Sequence, residues 1–124
     1  MKPGGAHVWY FPDGYLPEKV ENTRLEPHEA LMVLNTGSEP ARIELDFYFE
    51  DREPVKDVAL TVGAERSVCF RLDHPEQIGG LVIPPLTQYG MRLRSDVPVV
   101  AQFARLDATQ PNLAYYVNIG YAEE

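Results

Sequence analysis

Residues 41–50 read ARIELDFYFE. Ile43, Leu45, Phe47 and Phe49 take alternate positions, and Arg42, Glu44, Asp46, Tyr48 and Glu50 take those between them. Successive side chains of an extended chain point to opposite faces, so the pattern predicts a half-buried strand with a wet side. The fold class follows from how widely this period of two recurs.

It recurs along most of the chain. KDVALTV places Val58, Leu60 and Val62 on one face, and RSVCFRL does the same with Val68, Phe70 and Leu72. In QYGMRLRS, Tyr89, Met91 and Leu93 lie opposite Arg92 and Arg94. AHVWYF, HEALMVLN, VPVVAQFARLD and LAYYVNIGY complete the set. Eleven prolines and nine glycines break any long helical pattern. About eight short strands with turn signals such as NTGSEP and EDREP predict an all-β fold, an antiparallel, jelly-roll-like β-sandwich. A helix over LEPHEALMVLN, started by Glu26-Pro27, is the main competitor. Residues 73–90 predict a long loop with a short turn or helix.

With 124 residues, 44% of them hydrophobic, the chain fits a single domain over residues 1–124 with its own core. The single cysteine, Cys69, cannot form an intrachain disulfide and is expected to pack on a strand in a reducing compartment. No segment approaches the ~20 apolar residues of a membrane span, and the start lacks the apolar run of a signal peptide, so a soluble, cytoplasmic protein is expected. A formal net charge of −8 is unfavourable for holding nucleic-acid phosphates, so no nucleic-acid partner is expected.

Catalytic patterns are missing. His7, His28 and His74 follow no metal spacing, HEALM lacks the second histidine of a zinc-protease motif, and there is no nucleophile elbow or phosphate loop. Glu50 and Asp51 are adjacent, which in extended chain points them apart. No enzyme activity, metal or cofactor is expected.

Several segments together resemble the sensory rhodopsin transducer family: DGYLP (13–17), HE (28–29), LNTG (34–37), YFEDREPV (48–55), AER (64–66), FRLD (70–73), SDVPVVAQFARLD (95–107) and NIGYA (118–122). The resemblance runs from about residue 9 onward. It implies a small β-sandwich assembling as a cyclic homotetramer, a cytoplasmic sensor or signalling module that is not an enzyme. A small-molecule ligand, a sugar or related metabolite, and a membrane photoreceptor as partner come with it. A protein-interaction adaptor for that photoreceptor is the alternative function; a sugar-modifying enzyme and a DNA-binding regulator rank below it.

The polar end of SDVPVVAQFARLD supplies the first candidate ligand-binding residues. Alternation puts Phe103, Arg105 and Asp107 on one face and Gln102 on the other. Arg105 and Asp107 lie about 6.5 Å apart along the strand, suited to bridging a polyhydroxyl ligand or to pairing with each other. His28 and Glu29 offer a histidine and a strand-edge acid, one of them a pocket candidate. Arg66 and Arg71 are candidates for an anion, or partners for the abundant acids. Trp9, Tyr10, Phe11 and Tyr15 are expected in the core or at a subunit interface.

Overall fold

The structure, a computed structural model, describes residues 4–20, 25–109 and 112–124. Among them are β1 (Ala6–Tyr15), β2 (His28–Asn35), β3 (Ala41–Phe49), β4 (Val55–Val62), β5 (Arg66–Arg71), β6 (Gln88–Asp107), β7 (Ala114–Ile119) and β8 (Tyr121–Glu123). A single 3-10 turn, Pro75–Gln77, sits in the predicted loop before β6. Every pairing is antiparallel. The strands form two sheets that share β6: one runs β4-β3-β6-β1-β8, the other β5-β2-β6-β7. The all-β sandwich read from the alternation is the fold observed.

One correction concerns β6. The sequence predicts separate strands at 88–95 and 97–107, whereas a single strand of 20 residues covers both. Its first half pairs with β1 and β3, its second with β2 and β7. Pro98 falls at the handover, between Ser95 opposite Ile43 and Val100 opposite Leu34. Proline has no N–H for a ladder, so its cost is least where partners change.

HEALMVLN is a strand and not a helix. Leu31 and Val33 point inward with no exposure, while Met32 and Leu34 point outward, and both edges of β2 are paired. The LNTG segment is a latch: buried Asn35 donates from Nδ2 to the carbonyls of Glu39 at 2.8 Å and Gly63 at 3.1 Å, and its Oδ1 accepts from the Gly37 N–H. Two turns are thereby tied to one side chain.

Phe47, Tyr89, Phe103, Leu31, Ile43, Leu45 and Leu93 fill the space between the sheets with essentially no exposure. The Phe11 and Phe103 rings meet across it at 6.3 Å. Truncating such a ring to alanine costs about 3–5 kcal/mol through lost transfer energy and the cavity left behind. Trp9 and Phe11 belong to this core, and the Trp9 indole donates to the Val99 carbonyl at 2.9 Å. Tyr10 instead lies on the outer face, and Tyr15 is exposed at the end of β1. Cys69 lies on a strand, exposed.

Candidate functional site

Glu29 and Arg105 face each other directly across the β2–β6 ladder. The Glu29 side chain is wholly enclosed, and its Oε2 accepts from Arg105 Nε at 2.8 Å. Oε1 accepts from the Tyr89 hydroxyl at 2.6 Å, and the Tyr15 backbone N–H lies 2.9 and 3.1 Å from the two oxygens. An enclosed carboxylate is tolerable only when its lone pairs are used, and here they are.

Three local features build this cluster. The β1–β6 register slips between Phe11 and Gly14, a bulge that turns Asp13 and the Tyr15 N–H toward the pair. Gly14 is required because a Cβ there would stand inside the Tyr89 ring. On the solvent side, Arg105 Nη2 donates to the Asp13 carbonyl at 3.1 Å and lies 3.7 Å from its carboxylate. The Tyr116 ring of β7 stacks over the guanidinium at 5.4 Å. Arg105 keeps about a fifth of its side chain exposed, with a side-chain accessibility of 22% against none for Glu29.

Burial pushes the Glu29 carboxyl above its ordinary range, against the pull of the Tyr89, Tyr15 and Arg105 hydrogen bonds. Burial and the neighbouring Glu29 charge push the Tyr89 phenol well up, so it stays a donor. The cluster presents no free nucleophile; what it offers outward is a rigidly held guanidinium edge between a carboxylate and an aromatic ring.

The remaining sequence candidates do not join it. Arg105 and Asp107 form no direct bond: Asp107 accepts from the Thr109 backbone and hydroxyl and closes a turn, while Arg105 is drawn inward to Glu29. His28 lies on the opposite face from Glu29, its Nδ1 at 2.8 Å from the Glu26 carbonyl. Gln102 is exposed on the outer face, opposite Met32 and Ile119. Arg66 donates to the carbonyls of Ala64 and Glu65. Arg71 binds Asp73 in fork fashion, with both bonds at 2.8 Å, and reaches Glu26 at 3.4 Å. Ligand atoms of Glu26, Asp73 and His74 lie within 4.8 Å of one another, but Arg71 already neutralises both carboxylates.

A second buried carboxylate escaped the sequence reading. Asp46, expected on the wet side of its strand, is fully enclosed between Arg92 at 2.9 Å and Arg94 at 2.8 Å, and accepts the Asp57 N–H at 3.0 Å. Burial raises its carboxyl, but the bonds from Arg94, Asp57 and Arg92 outweigh this and hold it below the usual range. Beside it Tyr48 lies under both Arg92 and Lys56, and the Tyr10 and Tyr121 rings are 6.2 Å apart. The signal was present in the sequence, an acid on the wet side of one strand and two arginines on the wet side of another, but that these strands are neighbours was not.

Fold and cluster define a small β-sandwich module with an arginine rim and no assembled catalytic group among the described residues. The chain belongs to the Anabaena sensory rhodopsin transducer family, whose model it matches over residues 4–122. It is 39% identical to the protein of the crystal structure of Thermotoga maritima 1070, with a TM-score of 0.85 over 97% of each chain. To the Anabaena sensory rhodopsin transducer it is 31% identical, with a TM-score of 0.74 over 88% of this chain and 94% of that one. No curated protein matches. No helix among the described residues is long and apolar enough to cross a membrane.

Proposed function

We propose that the protein is a non-enzymatic, cytoplasmic signalling module that works as a homo-oligomer and senses a small polar molecule, a sugar or related metabolite, at the Arg105 rim. The observation that carries this reading is the guanidinium fixed by fully buried Glu29 and roofed by Tyr116. An arginine so held spends little entropy on binding an oxyanion or vicinal hydroxyls, and an aromatic face beside it suits the apolar side of a sugar ring.

Thermal-shift measurements against sugars, sugar acids and phosphates test it. A ligand for the folded state raises the melting temperature, by an amount equivalent to about 2.7 kcal/mol at a hundredfold excess over Kd. Arg105→Lys, which keeps the charge but loses the fork, is expected to abolish the shift. No shift across the panel removes the ligand reading.

A second reading, an adaptor for a membrane photoreceptor, is favoured by the likeness to the Anabaena sensory rhodopsin transducer. Co-purification with a rhodopsin in detergent supports it, and failure with every rhodopsin encoded beside the gene counts against it.

A further inference from the structure

Among the described residues, one enclosed side-chain polar atom has no hydrogen-bond partner, Oδ1 of Asn118. The Nδ2 of the same amide donates to the Tyr116 hydroxyl at 2.6 Å. Turning the amide over exchanges its two ends: the hydroxyl then donates to the oxygen, and the nitrogen takes the unpartnered place. In either orientation a single tyrosine hydroxyl serves half an amide. A buried polar group without a partner carries its full desolvation cost, so native structures keep few of them.

The position of this amide ties it to the Arg105 rim. On β7, Tyr116 lies opposite Arg105 and Asn118 opposite Phe103, so all four share the inner face of their sheet. Asn118 and Arg105 are diagonal neighbours across the ladder, about 7–8 Å apart. Tyr116 bridges them, its ring against the guanidinium at 5.4 Å and its hydroxyl against the amide. Just beyond, Gly120 carries the chain from the sheet of β7 to the sheet of β1 and β8. A Cβ at Gly120 would stand 2.6 Å from both the Phe11 ring and the Tyr10 carbonyl, so the crossing is pressed against β1. The segment from β7 to β8 is therefore a strap along one side of the sandwich, fixed at Gly120. Tyr116, 38% exposed, is its movable part: one side-chain rotation gives up both of these contacts.

We propose that Tyr116 is a lid over a two-ended polar subsite, Arg105 at one end and Asn118 at the other, which admits a neutral, hydroxyl-bearing group. The proposal rests on the reading of Arg105 as a ligand rim and adds a second contact and a charge preference to it. A hydroxyl both donates and accepts, so adjacent hydroxyls can accept from the guanidinium and donate to the amide oxygen. An ionised carboxylate only accepts and leaves that oxygen unpartnered. An anion also meets Glu29 at 2.8 Å and Asp13 at 3.7 Å from the same guanidinium, on a chain of net −8.

Urea denaturation of the free protein tests the amide without any ligand. Asn118→Val suits a strand and removes the unpartnered group, so its urea midpoint is expected to be no lower than that of the wild type. Asn118→Ala is the second variant should valine not fit. A midpoint lowered in both means that the amide is satisfied and structural, and overturns the subsite. Thermal-shift measurements test the ligand, pairing glucose with gluconate and xylose with xylonate and adding inorganic phosphate. The wild type is expected to shift with a neutral sugar and less with its acid. Asn118→Val should weaken that binding about tenfold, and Tyr116→Phe, which keeps the ring but frees the amide, should strengthen it. A wild-type shift that persists undiminished in Asn118→Val, or an acid that shifts as much as its sugar, overturns the subsite and leaves the Arg105 rim standing. Binding no stronger in Tyr116→Phe overturns the lid. No shift with any compound, in the wild type or in Tyr116→Phe, removes the rim and the subsite together.

Discussion

At the scale of single residues, the two enclosed carboxylates respond to pH with opposite sign. Burial raises the folded-state value of Glu29, so the fold favours its protonated form. Its contribution to stability is fully present below the ordinary glutamate range and is lost as pH rises through the raised folded value. Glu29→Gln, neutral at every pH, should therefore gain on the wild type in urea denaturation as pH rises from about 4 to about 7. Asp46 is held low, so its contribution is present above the ordinary aspartate range and lost as pH falls through the lowered value. Asp46→Asn should recover relative to the wild type toward acid, and parallel slopes for the two variants would refute both assignments. Arg105→Ala leaves Glu29 enclosed without its cation. Discounted for the exposed fifth of the arginine, the loss should be about 2–3 kcal/mol in chemical denaturation. The sequence placed Glu29 and Arg105 on strand faces but coupled Arg105 with Asp107, two residues along, either as an ion pair or as two sides of a ligand edge. Residues opposite each other across a ladder are closer, about 4.5–5.5 Å, so the cross-strand partner takes the charge.

At the scale of elements, β6 organises the fold by belonging to both sheets. Its first half supplies Tyr89 and its second half Arg105, so the Glu29 cluster pins the two halves to one carboxylate. Gly14 in the β1 bulge makes that possible. Gly14→Ala would push a methyl group into the Tyr89 ring. The expected cost is about 1–3 kcal/mol. The loss should come with altered near-ultraviolet dichroism from the displaced tyrosine, and a variant as stable as the wild type would show that the ring has other room. The alternation made nearly every strand legible. Continuity of β6 was not, because Pro98 reads as a strand end until the change of partners around it is seen.

At the scale of the molecule, the net charge of the chain bears on how copies of it meet. Copies of a chain of net −8 repel one another, so the proposed homo-oligomer should form more strongly as salt screens that repulsion. Sedimentation equilibrium between about 0.05 and 0.5 M salt should show a rising association constant. A constant that falls steeply would mean that ion pairs and not apolar contacts hold the copies together.

The period-2 pattern determined the class of fold on its own, because side-chain direction in an extended chain is a local property. The candidate residues were legible as letters on faces; their partners were not. Glu29 with Tyr89, Asp46 with Arg92 and Arg94, and Tyr116 over Arg105 each join residues from different strands. Which polar groups share an enclosed space depends on strand order, on the β1 bulge and on β6 crossing between sheets. Those are products of global packing, and only the tertiary structure decided them.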